Sequence, residues 1–319
     1  MNDQDSGAET HSDKTAFRRD VLAGLTGDSK SLPAKWLYDT RGSELFEKIT
    51  RLDAYYLTRT ERRLLSGAVD AVADRVGPGA MVVEYGAGAS RKTRLLLDAL
   101  HQPALYCPTD IAADFLTVAA DSLRADYPHL AIRPHVGDFM DGGPDGTGHA
   151  PAPRLGFFPG STIGNLDDAA IHAFLTAIRG KLGRGAFFLL GADLVKDVAR
   201  MRAAYDDPDG LTARFNRNIL HHINRRLGSD LDPGAFSHEA RWNPETSCVE
   251  MHLVSRKAHT AHVADHPIRF EQGESIHTEN SRKFTETDLS RRADAAGWHL
   301  ARRWTDADTP FLLALFQAD

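Results

Sequence analysis

Between residues 80 and 193, short apolar runs typical of buried strands alternate with longer segments whose apolar residues recur at helical spacing. Strands are predicted at residues 80–85, 104–107, 131–136, 155–158 and 186–190, and helices at 91–101, 112–126 and 169–182. Repeated strand–helix units form a parallel, doubly wound sheet. The sequence therefore predicts an α/β fold, whose ligands bind beyond the carboxyl ends of the strands.

The first predicted strand ends in Glu84 and leads into a turn that contains Gly86 and Gly88. Glycine lets a ligand approach the backbone closely, because there is no Cβ. The dinucleotide fingerprint has a third glycine three residues after the second, but Arg91 stands there, which disfavours NAD and FAD. An acid before two glycines suits S-adenosylmethionine (SAM), which carries a cationic amino-acid end and no pyrophosphate. A purely structural tight turn is the alternative.

Polar residues also follow the other predicted strands. Asp110 ends the second strand, where an acid can accept hydrogen bonds from both ribose hydroxyls of an adenosine. Asp138-Phe139 ends the third strand, where the carboxylate can accept from the adenine amine while the phenylalanine ring stacks on the base. Each acid singly could be only a helix cap. Gly160 and Asn165 follow the fourth strand. Together, these strand ends predict an adenosyl ligand.

After Asp193 the alternation stops. Helical segments are predicted at residues 195–205 and 211–227 and strand-like segments at 248–270 and 273–284, before a capped helix at 285–296 and two closing strands at 299–304 and 311–316. Thr58 and Glu61 are interpreted as a capping box at the start of an earlier helix. We therefore expect a SAM-binding domain at 60–196 plus 286–319, an α+β substrate-binding domain at 15–59 plus 197–285, and a disordered tail at 1–14.

Charge and composition exclude several classes of partner. The net charge of −6 argues against a nucleic acid held by phosphate neutralisation, and no apolar run approaches the roughly 20 residues of a membrane span. The polar first residues indicate no secretory signal, and two cysteines, Cys107 and Cys248, suit a reducing cytoplasm. His259, His262 and His266 lack a cysteine or acid that would complete a metal site. We expect a cytoplasmic monomer with a small-molecule substrate and no metal.

Several long strings resemble one known family. They are Ser31-Leu-Pro-Ala-Lys-Trp-Leu-Tyr-Asp39 and its continuation to Phe46, Gly160-Ser-Thr-Ile-Gly-Asn165-Leu, Thr278-Glu279-Asn-Ser281-Arg-Lys-Phe284, and residues 55–59, 193–197, 204–208 and 215–218. The chain is similar, from about Phe17 onward, to the SAM-dependent L-histidine Nα-methyltransferases of ergothioneine biosynthesis. Leu57 stands where this family often has proline, and Tyr85-Gly-Ala-Gly replaces its commoner Leu/Phe-Gly-Ser-Gly.

The resemblance implies a class I SAM-methyltransferase fold and three methyl transfers to the α-amine of L-histidine, giving hercynine. SAM would be held by Tyr38, Gly86, Lys92, Asp110, Asp138 and Phe139, beside Glu84 and Gly88 of the glycine turn. Tyr55, Glu279 and Ser281 would contact the substrate imidazole, with Met251 packing beside it. Asn165 and Tyr205 would hold the carboxylate and amine, near Gly160 and Thr162. Asn165 and Tyr38 are the predicted catalytic residues, and water or a tyrosine would relay the amine proton.

Three other functions compete with this one. The same chemistry could act on another amino acid, such as tryptophan, or on a simple amine. A SAM-binding module without catalysis is disfavoured by Glu279, Asn165 and Tyr205, and an NAD oxidoreductase by Arg91. From local sequence alone, Glu279 could be a strand-surface glutamate and Asn165 a structural turn residue.

Overall fold

The computed structural model describes residues 11–88, 91–144 and 152–319, without the side chains of residues 11–13 and 91. The chain divides into two compact units. One, here the sheet unit, comprises Tyr56–Asp197 and Ser281–Asp319, and the other, here the α+β unit, comprises the chain up to Tyr55 and Val198–Asn280. The predicted tail at 1–14 lies mostly outside the described residues, and the first helix begins at His11.

The helices and strands are numbered in chain order. The α-helices are α1 His11–Thr26, α2 Thr40–Ile49, α3 Tyr56–Val76, α4 Arg91–Ala99, α5 Ala113–Asp126, α6 Asp168–Leu182, α7 Val198–Ala203, α8 Leu211–Leu227 and α9 Glu286–Ala295. The strands are β1 Met81–Tyr85, β2 Leu105–Asp110, β3 Ala131–Ile132, β4 His135–Val136, β5 Arg154–Phe158, β6 Phe187–Asp193, β7 Phe236–Asn243, β8 Cys248–Ser255, β9 His259–Val263, β10 His266–Phe270, β11 Ser275–Arg282, β12 Trp298–Thr305 and β13 Phe311–Ala318.

The sheet unit is built on one sheet in the order β12-β13-β6-β5-β1-β2-β3, with β4 also paired to β2. β1, β2, β3, β5 and β6 run parallel, whereas β13 is antiparallel to both β6 and β12. The predicted α/β fold with a doubly wound, mainly parallel sheet is confirmed. Because β1 lies between β2 and β5, its end is near the centre of the carboxyl edge.

Side chains alternate between the two faces of this sheet and form two apolar cores. Met81, Val83 and Tyr85 of β1 pack on one face, with residues of α6 and α9. Val82 packs on the other face, with residues of α3 and α4. Both faces are therefore covered, which explains why the central strands have continuous apolar sequences rather than alternating ones.

The α+β unit contains a three-stranded sheet in the order β11-β8-β7 and a separate β9-β10 hairpin. Helix α8 packs against α2, and Phe17 of α1 meets Trp36 edge to face, with ring centroids 4.8 Å apart. The isolated bridge between Ser31 and His277 joins the segment after α1 to β11. The N-terminal segment thus packs with residues more than two hundred positions later.

The structure corrects three local predictions. Thr58 and Glu61 do not form a capping box, because α3 already begins at Tyr56 and Glu61 is buried. The strand β7 was not predicted, and the strand predicted at 131–136 is two short strands. The cap at Thr285 is confirmed, since its side chain accepts from the Asp288 N–H. Across residues 11–88, 91–144 and 152–319, no helix has both the length and the apolar character that crossing a bilayer requires.

Candidate active site

The turn after β1 is held by backbone hydrogen bonds to the end of β2. The N–H groups of Gly86 and Ala87 donate to the Thr109 carbonyl oxygen at 2.9 and 3.1 Å, and the Gly88 N–H donates to Asp110 Oδ2 at 3.0 Å. Gly86 and Gly88 have φ values of +68° and +49°, which favour glycine. Among the described residues, a Cβ at either would meet no atom within 4 Å. The turn therefore presents open backbone at the edge where ligands bind.

Glu84, the last acid of β1 before this turn, is buried, and its carboxylate accepts hydrogen bonds from Thr93 and from the Tyr106 hydroxyl. Burial raises the pKa of Glu84 to about 7, against the opposing effect of these hydrogen bonds. A carboxyl group with this pKa changes charge near neutral pH. A cation bound beside it would favour the carboxylate, which suits the cationic end of SAM.

The acid that ends β2 and the acid that follows β4 both bind backbone N–H groups. Asp110 accepts from Gly88 and, through Oδ1, from Ala112 at 3.0 Å, and burial raises its pKa. Asp138 caps the short 3-10 helix Phe139–Asp141 by accepting from Met140 at 3.0 Å. Asp138 therefore has the helix-cap role that the sequence left open as an alternative to ligand binding. A carboxylate has about four acceptor positions, so these bonds do not prevent either acid from binding an adenosyl group.

Phe139 packs against Phe158 and Phe174, with ring centroids 5.2 and 5.5 Å apart. These contacts fix the ring beside Asp138, at the carboxyl edge of the sheet. A fixed aromatic ring next to an acceptor is the combination that an adenine base requires.

Lys92 forms an ion pair with Glu61 of α3. The Gly160 N–H donates to both oxygens of Glu61 at 2.9 Å, so one buried carboxylate joins α4 to the loop after β5. Sequence reasoning assigned Glu61 to a cap and so missed this role. The sequence did contain a signal that Glu61 is buried, because Glu61 lies four residues from both Leu57 and Leu65, on the apolar face of α3.

The loop after β5 contains three predicted substrate residues. The Thr162 hydroxyl donates to the Pro159 carbonyl oxygen at 2.9 Å, and Asn165 ends the 3-10 helix Thr162–Asn165. Ser161 has a positive φ of 59°, and its hydroxyl accepts from the Asp193 N–H at 2.9 Å. The loop is thereby attached to the end of β6, which fixes Gly160, Thr162 and Asn165 at the same edge as the glycine turn.

Asp193, at the end of β6, is the centre of a buried charged cluster that sequence reasoning also missed. Its carboxylate accepts from the Tyr56 hydroxyl at 2.7 Å, pairs with Lys283 at 2.9 Å and pairs with Lys196. Lys283 also donates to the Ser281 hydroxyl oxygen at 2.9 Å. The only local hint was an acid at a strand end.

In the α+β unit, the Tyr38 hydroxyl donates to Glu279 Oε1 at 3.1 Å. Burial raises the pKa of Tyr38 well above its ordinary value, and the charges of Glu279, Tyr55 and Tyr205 raise it further. Tyr38 is therefore a neutral phenol throughout the physiological pH range. It can donate to Glu279 and accept from another group at the same time.

Tyr38 belongs to a cluster of aromatic rings that come from several segments of this unit. Tyr38 lies 5.6 Å from Phe46 and 5.4 Å from Phe215, and Tyr55 lies 5.9 Å from Tyr205, measured between ring centroids. Met251 is buried in β8, and its carbonyl oxygen accepts from the Thr278 hydroxyl at 3.0 Å, which links it to the strand that carries Glu279. The α+β unit therefore brings together an aromatic cluster and one carboxylate.

The predicted site residues are thus distributed over both units. Tyr38, Tyr55, Tyr205, Met251 and Glu279 belong to the α+β unit, and the sheet unit contains Glu84, Gly86, Gly88, Lys92, Asp110, Asp138, Phe139, Gly160, Thr162, Asn165 and Ser281. The sheet-unit residues fit SAM, because they provide an open glycine turn, a buried acid for a cation, and an acid beside an aromatic ring.

Comparisons with known proteins agree with this chemistry. The family model described as "Histidine-specific methyltransferase, SAM-dependent" matches residues 17–318. A histidine N-alpha-methyltransferase from Mycobacterium tuberculosis (strain CDC 1551 / Oshkosh) is 44% identical over 312 residues, covering 94% of each chain. Ergothioneine biosynthesis protein 1 from Neurospora crassa is 30% identical over 290 residues, covering 86% of this chain and 32% of its own.

The crystal structure of a SAM-dependent methyltransferase from Clostridium acetobutylicum superposes with a TM-score of 0.50 at 12% identity, covering 86% of this chain and 98% of that one. At this identity the likeness shows the fold alone, which is that of class I SAM methyltransferases. The family model, which matches residues 17–318, identifies the cofactor as SAM. The chain therefore belongs to the family of histidine-specific, SAM-dependent methyltransferases.

Proposed function

We propose that this enzyme transfers three methyl groups in succession to the α-amino nitrogen of L-histidine and so forms hercynine, the first step of ergothioneine biosynthesis. Family membership supports the substrate class and the cofactor. The observation that carries the choice of histidine is the hydrogen bond from Tyr38 to Glu279, which holds a carboxylate on β11 two residues before the hydroxyl of Ser281. A carboxylate and a hydroxyl at this spacing suit a ring that has two nitrogens.

Side chains two residues apart in a regular strand share a face, so Glu279 and Ser281 of β11 are expected to project to the same side. Oε1 of Glu279 accepts from Tyr38, and its other oxygen is suited to an imidazole N–H. Such a bond to a carboxylate is charge-assisted and stronger than one between neutral groups. Tyr55 and Met251 would pack around the ring, as the resemblance implies.

SAM, when bound, supplies a methyl group already activated on a sulfonium. The residues that would hold SAM are Glu84, Gly86, Gly88, Lys92, Asp110, Asp138, Phe139 and Tyr38. The chain's main task is then to orient the amine, and orientation of this kind can remove roughly 7–11 kcal/mol from a barrier. Asn165 and Tyr205, with Gly160 and Thr162, would bind the carboxylate and amine of histidine for this purpose.

The amine must lose a proton before its lone pair can react. Tyr38 cannot act as a general base in its ionised form, because its raised pKa keeps the phenol protonated. It can instead relay the proton: its oxygen accepts one from the substrate ammonium while its own O–H proton passes to Glu279 along the existing hydrogen bond. Water would then remove the proton from Glu279, so that Tyr38 and Glu279 are restored before the next methyl transfer.

The test is the mass of the product after incubation of the purified protein with SAM and each free amino acid in turn. We expect histidine to gain three methyl groups and tryptophan to gain none. A product with only one or two methyl groups at long times would overturn trimethylation, and equal turnover of tryptophan would overturn the choice of substrate. If histidine is recovered unchanged, the protein does not methylate it, and a SAM-binding module without catalysis becomes the favoured function.

We further expect the enzyme to act as a monomer in the cytoplasm. Its two cysteines, Cys107 and Cys248, are buried thiols, which suits a reducing compartment. Light scattering during gel filtration would check the expected mass of one chain.

A further inference from the structure

Glu61 of α3 is a buried carboxylate that the proposed reaction does not use, although it contacts two residues that are expected to bind ligands. Its two oxygens accept from the Gly160 N–H, each at 2.9 Å, and it forms an ion pair with Lys92. Its side chain is 1% exposed. All three residues belong to the sheet unit. One carboxylate therefore joins a residue expected to hold SAM to a residue expected to contact the substrate.

Two neighbours keep this carboxylate ionised and in place. A buried charge is costly unless it is paired, and Lys92 of α4 provides the opposite charge. An ionised carboxylate only accepts hydrogen bonds, whereas a protonated one also has a donor. Gly191 of β6 provides the space, because a Cβ there would lie 1.9 Å from Glu61 Oε1. Glu61 thus meets the Gly160 N–H as an acceptor whose position is set by two further elements.

The bond to Glu61 fixes the peptide between Pro159 and Gly160. Proline followed by glycine suits the two central positions of a type II turn, and the Gly160 φ of +86° is close to the value of about +80° at the second of them. A type I turn differs by a rotation of this central peptide, which would turn the Gly160 N–H away from Glu61. The Thr162 hydroxyl donates to the Pro159 carbonyl oxygen at 2.9 Å, so the peptide is held at both ends.

The hydrogen bonds of this loop determine which groups it offers to a ligand. Because the Gly160 N–H is used by Glu61, the remaining polar atom of Gly160 is its carbonyl oxygen, which can only accept. The Thr162 hydroxyl, while it donates to Pro159, likewise offers lone pairs. An amino acid has an ammonium group, which only donates, and a carboxylate, which only accepts. Gly160 and Thr162 therefore match the ammonium and not the carboxylate.

We propose that Glu61 is a positioning residue that holds the Gly160 peptide with its N–H directed to Glu61 rather than to the substrate, so that the loop after β5 binds the α-ammonium of the substrate through acceptors. This inference deepens the proposed function and rests on it, because it takes Gly160 and Thr162 as substrate residues. The substrate carboxylate is then left to groups of the site that donate.

The experiment measures binding by calorimetry with S-adenosylhomocysteine present well above the Kd measured for each variant, so that no methyl transfer occurs. Histidine is compared with 3-(imidazol-4-yl)propionate, which lacks the amine, and with histamine, which lacks the carboxylate. The affinity for histidine relative to imidazolylpropionate is the amine preference, and that relative to histamine is the carboxylate preference. Effects on the binding of the shared imidazole ring cancel in both ratios.

Two variants of Glu61 separate its role as an acceptor from its charge. Glu61→Met removes the acceptor and releases the Gly160 N–H, so we expect the amine preference to fall about tenfold while the carboxylate preference changes less than about twofold. Glu61→Gln should retain most of the amine preference, because its amide oxygen can still accept from the Gly160 N–H. An equal fall in Glu61→Gln would mean that the charge of Glu61 matters instead, and would overturn its role as an acceptor.

Val72→Ala is the matched control for a loss of stability, since Val72 is fully buried in the same helix, three turns after Glu61. Its melting temperature should fall while both preferences stay unchanged. The proposal would be overturned by an unchanged amine preference in Glu61→Met, by an equal fall of both preferences, or by the same fall in Val72→Ala.

If Glu61→Met does not fold, Gly191→Ala perturbs the same carboxylate by crowding Oε1. The amine preference should then fall more than the carboxylate preference, and unchanged ratios in this variant would overturn the proposal. Failure of the proposed function has a different signature. A parent that adds fewer than three methyl groups yet shows these ratios contradicts only the trimethylation, whereas equal ratios in the parent and Glu61→Met, with three methyl groups added, contradict only the role of Glu61.

Discussion

The hydroxyl of Tyr38 donates a hydrogen bond to Oε1 of Glu279 across 3.1 Å, joining residues 241 positions apart in the chain. Tyr38 precedes α2 and Glu279 lies in β11, and both belong to the α+β unit. The bond gives Glu279 a fixed orientation and gives Tyr38 a proton acceptor. In the proposed reaction, recognition of the ring and release of the amine proton would therefore be coupled through this one carboxylate.

Replacing Tyr38 with phenylalanine removes the hydroxyl of the proposed relay but retains the ring. We expect kcat for histidine to fall about 10²-fold with a smaller change in KM, because proton transfer is needed only in the reaction. Tyr127→Phe is the matched control, since the Tyr127 hydroxyl donates to Asp98 in the sheet unit, and its kinetics should be unchanged. A rise in KM alone for Tyr38→Phe would assign Tyr38 to binding.

Truncating Glu279 to alanine should weaken histidine use by roughly 1.5–3 kcal/mol in kcat/KM, because a charge-assisted hydrogen bond to the ring is lost. Glu279→Gln should restore part of the ring binding, since its one amide oxygen can still accept from the ring N–H, but it cannot take up the proton relayed by Tyr38. Steady-state kinetics with histidine check both values. Unchanged kcat/KM in Glu279→Ala would return this residue to an ordinary strand-surface glutamate.

The raised pKa of Glu84 predicts a pH dependence of both stability and cofactor binding. The contribution of Glu84 to the free energy of unfolding is fully present below the ordinary pKa of 4.5 and is lost as the pH rises through about 7. Affinity for S-adenosylhomocysteine, which keeps the cationic end, should rise from pH 5 to pH 8, by up to about tenfold per unit below pH 7. Glu84→Gln should flatten both dependences. Equal slopes in the parent and the variant would mean that other groups cause them.

Alanine substitutions at Gly191 and Gly67 should have opposite effects on the free energy of unfolding, because of the two only Gly191 lies against Glu61. An alanine Cβ at Gly191 would lie 1.9 Å from Glu61 Oε1, whereas one at Gly67 of α3 would meet no atom of the described residues within 4 Å. Gly191→Ala should therefore lower the free energy of unfolding by about 1–3 kcal/mol, and Gly67→Ala should raise it by about 0.5–1 kcal/mol. Urea unfolding of both variants provides the measurement. A neutral Gly191→Ala would show that Glu61 can move without cost.

Asn165 distinguishes a binding role from a turn role. If its side chain binds histidine, Asn165→Ala should weaken histidine binding by about 1–3 kcal/mol while the melting temperature stays close to that of the parent. Calorimetry with S-adenosylhomocysteine present measures the first quantity and thermal unfolding the second. Intact histidine affinity with a lower melting temperature would favour a structural turn residue.

The part of the site that was predictable lies where local sequence determines position. Glu84, Gly86 and Asp110 were correctly placed at the carboxyl edge, because apolar runs mark the strands and parallel strands bring their carboxyl ends to one edge. Glu279 and Ser281 came instead from resemblance to a family, since nothing in their local pattern separates them from surface residues of a strand.

The failures have physical reasons. In β7 only Phe236 and Ala240 are buried, so the strand lacks the apolar alternation that would reveal it. The spacing of Thr58 and Glu61 imitates a capping box, but α3 begins two residues earlier. Tyr56, the first residue of α3, is buried and bonded to Asp193, 137 positions away. Such long-range partners are fixed by tertiary packing and leave no local pattern.

The discontinuity of the sheet unit affects how the chain can fold during synthesis. Strand β6 is paired on one side with β5 and on the other with β13, and the whole of residues 198–280 lies between β6 and the segment that supplies β13. Until that stretch has left the ribosome, β6 has an unpaired apolar edge, which is a template for aggregation. Nascent chains of this protein should therefore depend on chaperones during this interval.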